Sequence, residues 1–202
     1  MKKNINQQVV VIHGGNAFDN YQDYLDNLKK KEISLEKLYL RGWKENLGND
    51  LGEGFDVLAP RMPNSQNARY LEWKIWFEKI IPFLDDNLIF IGHSLGGIFL
   101  VKYLTENNYP KKIKAVLLVG IPYNTPTRHP LADFNITKPL ANFTRQAGKI
   151  VIFHSKDDKI VPFSNAKQFL KEIPNAVFNS FKDRGHFNQE TFPEIIKLIK
   201  NL

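Results

Sequence analysis

The sequence predicts an α/β fold, with about six mainly parallel strands in one sheet and helices on both faces. Two observations carry this expectation. Short β-branched runs alternate with segments of helical periodicity along the whole chain. The runs are apolar at consecutive positions, as strands buried on both faces must be. A chain of 202 residues with 43% apolar and 24% charged residues suits a single domain, 1–202, with a full core.

Val9-Val10-Val11-Ile12 reads as the first strand and ends at His13-Gly14-Gly15. Tyr21, Tyr24, Leu25 and Leu28 then recur at helical spacing. Ser34 is placed to cap a second helical stretch, with Ile33 and Leu38 at staple spacing. Leu35, Leu38, Trp43 and Leu47 continue that face, with a break at Gly42 and a stop at Gly48. Phe55-Asp56-Val57-Leu58 is the second strand, closed by Pro60. Trp73, Trp76, Phe77, Ile80 and Ile81 mark one face of a helix ending near Pro82. Strands follow at 88–91, 113–119, 149–154 and 176–180. A buried helix is expected over 97–104 and another from a Ser164 cap through Leu170. The last helix is expected over 189–200, with Ile195, Ile196 and Ile199 inward. Residues 121–148 hold four prolines and no periodicity, and a connection that long is usually functional.

The composition removes several function classes. With no cysteine, disulfides, thiolate metal sites and cysteine nucleophiles are excluded. The net charge of +7 is spread along the chain, and Lys29-Lys30-Lys31 lies at a helix end where cations complement the dipole. A solvated basic surface is expected, with no nucleic-acid partner. No run approaches the ~18 apolar residues of a membrane span, and the N-terminal residues lack a signal-peptide core. A cytoplasmic protein without membrane association follows as the expectation. The five histidines are scattered and no H-E-x-x-H occurs, so no metal and no cofactor is expected.

The chemistry is concentrated in Gly92-His93-Ser94-Leu95-Gly96, a G-x-S-x-G between an apolar strand and a buried helix. A serine on a sharp strand-to-helix turn presents its hydroxyl above the sheet, and the glycines admit the neighbouring chain. A serine needs a base, almost always histidine, oriented by a third group. His186 stands in a Gly-containing loop after the last strand, at the carboxyl end of the sheet and last in chain order. His93, inside the motif, is expected to point away from the serine. The acid is expected on the loop after the fifth strand, where Asp157 and Asp158 are both candidates. Sequence physics alone hardly separates them. Two N–H donors for an oxyanion are expected, one from Leu95 and one from the His13-Gly14-Gly15-Asn16 loop. Tyr123, Phe134 and Phe143 make the 121–148 loop a candidate wall for substrate.

Together these features resemble the α/β-hydrolases, and more narrowly the small serine hydrolases typified by retinoblastoma-binding protein nine and its bacterial relatives. The resemblance rests on the strand ending at His13-Gly14, Pro60-Arg61-Met62-Pro63 before a helix with Trp73, and Gly92 through Gly97. It continues through Asp157-Asp158…Val161-Pro162 and Gly185-His186-Phe187. It implies a reduced α/β-hydrolase fold without the first two strands or a large cap domain. The family's D-x-x-V-P register implies Asp158 as the acid. Residues 16–52 depart from the shortest members by an extra helical stretch near the oxyanion loop.

The resulting expectation is a serine hydrolase, carboxylesterase-like, acting on a small-molecule ester or related acyl compound. Ser94 is the nucleophile, His186 the base and Asp158 the acid, with Leu95 and Gly15 amides at the oxyanion. Two alternatives remain open at this level. The same triad could serve an amidase, thioesterase or acyltransferase, or the fold could be a non-catalytic binding protein.

Overall fold

The computed structural model describes residues 7–35, 39, 42–124, 127 and 130–202. Six parallel strands form one sheet: β1 (Gln7–Ile12), β2 (Phe55–Leu58), β3 (Leu88–His93), β4 (Ile113–Val119), β5 (Lys149–Ser155) and β6 (Val177–Phe181). Their spatial order is β2-β1-β3-β4-β5-β6. Val9 pairs with Val57 on one side and Ile89 on the other, so β1 is an interior strand. The order reverses between β1 and β3, and their carboxyl ends frame the crevice where ligands bind in open α/β sheets.

Among the described residues, the longer helices are α1 (Tyr21–Lys30), α2 (Trp43–Leu51), α3 (Tyr70–Ile80), α4 (Leu95–Glu106), α5 (Ala141–Gln146), α6 (Ser164–Glu172) and α7 (Pro193–Lys200). Because strand side chains alternate between faces, the sheet has two cores. Val10, Ile12 and Phe90 join Trp73, Phe77 and Phe99 beneath α3 and α4. Val9, Val11 and Ile91 join Trp43, Leu47, Ile195 and Ile199 beneath α2 and α7. Helix α4 buries every residue from Leu95 to Thr105 because it lies over the centre of the sheet.

Several elements differ from the sequence expectation. Helix α7 starts at Pro193, not 189, because proline's fixed φ and missing N–H suit the first helical position. Ser164 is the first residue of α6 and not its cap; the turn begins one step earlier, where the Asn165 N–H reaches Pro162 O at 2.9 Å. The Ile33–Leu38 staple falls partly outside the described residues, which exclude 36–38, 40 and 41. Residues 121–148 also contain helix α5, whose six residues are too few to show a period.

Phe134 and Phe143, expected to wall a substrate pocket, are instead completely buried core residues. Phe134 packs edge-on to Trp73, with ring centroids 5.3 Å apart, and Phe143 is the buried residue of α5. An aromatic ring on a proline-rich connection serves here to anchor the connection onto α4. Truncating Phe143 to Ala is expected to cost about 3–5 kcal/mol, the usual range for a buried phenylalanine. Urea unfolding measures this, and relative rates across ester substrates should stay level while stability falls.

Candidate active site

Ser94 occupies the single residue between β3 and α4, with φ 54° and ψ −122°. A non-glycine residue is strained in that region by about 1–3 kcal/mol, and the surroundings must enforce it. The Ser94 N–H donates to Val119 O at 2.8 Å, and Ser94 O accepts from Gly97 N at 2.9 Å. A methyl on Gly92 would lie 2.5 Å from Gly97 Cα, and one on Gly96 would overlap the Ile12 carbonyl. Glycine is required at both positions for strand, turn and helix to approach this closely.

His186 lies between two residues of positive φ, Gly185 and Phe187. Its Nδ1–H donates to Asp158 Oδ2 at 2.7 Å, which leaves the Nε2 lone pair outward. Asp158 is buried, and its other oxygen accepts the N–H groups of Ile160 and Val161, both at 2.9 Å. The carboxylate is therefore fixed through both oxygens, with one aimed at the imidazole. Gly120, also at positive φ, makes room: a methyl there would sit 3.3 Å from His186 Nδ1.

Asp157 faces elsewhere. It accepts from the Ser155 hydroxyl at 2.5 Å and from Gly185 N at 2.9 Å, while Ser155 Oγ accepts from Arg184 N at 3.0 Å. The Ser155 hydroxyl holds the Asp157 carboxyl below the usual range. Asp157 thus clasps the His186 loop to the acid loop without touching the imidazole.

Three histidines outside the Ser94–His186–Asp158 set brace the backbone, a role the sequence did not reveal. His93 Nε2–H donates to His186 O at 2.8 Å, and Lys44 Nζ lies 3.5 Å from its Nδ1. Its ring lies 5.0 Å from the His186 ring. Burial, then Lys44 and His186, push the His93 pKa well below 6.5. His154, completely buried, donates from Nε2 to Val161 O at 2.8 Å, and burial lowers its pKa too. His13 accepts the Met62 N–H at 2.8 Å, tying the end of β1 to the Met-Pro segment.

A cavity of about 550 Å³ opens over these groups. Ser94, Leu95, His186, His93 and residues 13–17 line its floor. Leu95 opens α4, where the first N–H groups lack intrahelical acceptors. Gly15 comes so close to Ser65 O that a methyl would sit 2.6 Å away, and Asn16 N donates to the same carbonyl at 2.9 Å. Lys31 and Lys44 bring the extra 16–52 stretch into the wall, so this stretch does border the cavity. The 121–148 connection contributes Pro122, Thr127, Pro130 and Leu131. Tyr123 is turned away and packs on Phe169 at 4.5 Å between ring centroids. Of the three aromatic residues expected at the pocket, none lines it.

Helix α2 also supports the histidine loop. Trp43 Nε1–H donates to Phe187 O and Trp43 N–H to Gln189 O, both at 2.9 Å.

A family model described as serine hydrolase matches residues 41–200. The chain belongs to that family. Among its relatives, rat serine hydrolase RBBP9 is 28% identical over 170 residues, spanning 80% of this chain and 84% of the relative. The putative hydrolase YdeN of Bacillus subtilis is 27% identical over 146 residues, covering 69% and 74%. The crystal structure of the B. subtilis ydeN product superposes with a TM-score of 0.73 at 22% identity, covering 96% and 97% of the two chains. A predicted CIB-like hydrolase from Thermoplasma acidophilum gives 0.64 at 14% identity, covering 100% and 90%. The hydrolase fold is thus the α/β-hydrolase fold. Among the described residues, no helix is long and apolar enough to cross a membrane.

Two predictions follow from this geometry. Asp158→Asn keeps the shape but favours the wrong His186 tautomer, and kcat should fall by about 10⁴. Asp157→Asn loosens only the clasp and should cost about tenfold; steady-state kinetics on both purified variants, with melting temperatures as controls, makes the comparison. The second concerns pH. His93 and His154 have folded pKa values below 6.5, so below that pH the unfolded chain binds protons that the folded one excludes. Stability is full above about pH 6.5 and falls with acidification, by up to about 1.4 kcal/mol per pH unit for each histidine. Urea midpoints should drop from pH 7 to pH 5, and His93→Gln should make that drop shallower.

Proposed function

We propose that this serine hydrolase cleaves small carboxylic esters through an acyl-enzyme on Ser94. The observation that carries the reading is the buried Asp158 carboxylate. Two amides hold one of its oxygens, the other meets His186 at 2.7 Å, and His186 faces the same cavity as the strained Ser94.

In this reading Ser94 Oγ attacks the acyl carbon as His186 Nε2 takes the hydroxyl proton. The carbonyl π electrons move to oxygen, and the Leu95 and Gly15 N–H groups stabilise the resulting oxyanion. Collapse expels the alcohol, which receives the proton from His186. Water then attacks the acyl-enzyme with His186 again as base, releasing the acid and regenerating Ser94. Asp158 stabilises the imidazolium in both halves. No step calls for a metal or an organic cofactor. The oxyanion hydrogen bonds strengthen as charge develops, so they lower the barrier more than they tighten ground-state binding.

A fluorophosphonate probe tests the nucleophile. Mass spectrometry should find the label on the peptide carrying Ser94, and Ser94→Ala should abolish it. Labelling at Ser155 or Ser180 would rule the assignment out.

A further inference from the structure

The cavity wall has a chemical bias that ester hydrolysis alone does not require. Lys44 and Lys31 line it, and no Asp or Glu does among the described residues. Lys31 Nζ donates to Gln66 Oε1 at 3.0 Å. Lys44 Nζ lies 5.3 Å over the Trp43 ring and 3.5 Å from His93 Nδ1. His93 Nε2–H is already committed to His186 O, so Nδ1 offers a lone pair to one ammonium proton. An ammonium has three donors, so the others remain available to a ligand. The neighbouring Glu45 is used elsewhere, accepting from Gly42 N at 2.9 Å at the start of α2. Burial lowers the Lys44 pKa, which indicates a partly desolvated cation. An incoming carboxylate would offset that desolvation.

Lys44 is also close to the chemistry. The point where a Gly14 methyl would sit is 3.1 Å from Ser94 Cβ and 3.5 Å from His93 Nδ1, and Lys44 Nζ lies 3.5 Å from that nitrogen, so Lys44 Nζ is at most about 10 Å from Ser94 Cβ. A short methylene chain spans such a gap.

We propose that the substrates are acyl compounds bearing a free carboxylate a few carbons from the scissile carbonyl, and that Lys44 binds this carboxylate. The inference rests on the esterase reading above and adds the substrate class. Electrostatic selection of this kind acts on kcat/KM and weakens with salt.

The experiment uses two matched pairs. In the first, the p-nitrophenyl monoester of adipic acid is compared with its ω-amide, placing the charge on the acyl side. In the second, 4-acetoxybenzoate is compared with 4-acetoxybenzamide, placing it on the leaving group. For the first pair kcat/KM should favour the acid by about tenfold or more, and the ratio should shrink between about 0.05 and 0.5 M salt. Lys44→Met should bring the ratio to about one, with melting temperature as a folding control. A ratio of one in the unmodified protein, or a ratio that survives Lys44→Met, overturns the proposal. A preference confined to the second pair overturns the acyl-side assignment. Calorimetric titration of adipate into Ser94→Ala, with and without Lys44→Met, is read independently of turnover. Binding should weaken about tenfold when Lys44 is lost, and equal binding counts against Lys44. If no ester is cleaved while adipate binding still depends on Lys44, the esterase reading fails and the carboxylate site stands.

Discussion

Strand β3 must become helix α4 within one residue, at the centre of the sheet, and the site depends on that constraint. Ser94 holds φ 54° because its backbone N–H and carbonyl are both tied, to Val119 O and Gly97 N, while packed backbone closes in beneath it. Gly92 meets Gly97, Gly96 meets the Ile12 carbonyl, and a methyl at Gly14 would crowd Ser94 Cβ at 3.1 Å. Each glycine removes a side chain where two backbones meet, and together they convert tight packing into an exposed hydroxyl. The energy stored in the turn is supplied by the two apolar cores that clamp β3 between its neighbours. The Ser94 hydroxyl is thus preorganised by the fold itself, without depending on a mobile side-chain contact.

His186 and Asp158 are held in a different way. Their loops have no sheet pairing of their own, so side-chain to backbone hydrogen bonds fix them instead. Asp158 binds two amides, Asp157 and Ser155 bind two more from the histidine loop, and His93 and His154 each hold a carbonyl. Trp43 adds a third strut from α2. Asp158, His93 and His154 are buried, where a polar group is costly unless hydrogen-bonded, so the bonds that hold these loops also make their arrangement specific. Removing one therefore shifts a loop as well as losing a bond.

Strands β1 and β5 were legible from consecutive β-branched residues, and β3 and β4 from short apolar runs bounded by turn residues. The sharp turn at Ser94 was legible because such an elbow needs glycines at fixed offsets. The placement of His186 beside the elbow, at the carboxyl end of the sheet, was legible from its position after the last strand. Asp157 and Asp158 were not separable by residue type: adjacent carboxylates differ only in which way the loop turns, and it turns where Asp158 Oδ1 collects two successive amides. The aromatic residues misled because a phenylalanine on a proline-rich connection can line a pocket or anchor the connection, and Phe134 and Phe143 anchor it. The brace formed by His93 had no signal, since it depends on a carbonyl 93 residues away in sequence. Lys44 was one of many lysines until the fold turned it toward the cavity.

The family match begins at residue 41, yet the chemistry cannot be assembled from residues 41–200 alone. Strand β1 lies between β2 and β3, and removing it would leave β2 without a partner and β3 paired only with β4. Its carboxyl end supplies Gly14, which gives Ser94 room, and Gly15, whose loop is tied to residues 65–68. Those are local requirements for glycine and for a strand exit, and many sequences can meet them. The elbow, the acid loop and the histidine loop impose stricter requirements, because each needs particular side-chain atoms at particular places. Of the two lysines in the cavity wall, the Lys31 ammonium meets only Gln66 among the described residues, while Lys44 meets His93. Lys31 can therefore vary without touching Ser94, His186 or Asp158, whereas Lys44 reaches His93, which braces the His186 carbonyl, so a change there acts on the wall and on the histidine loop together.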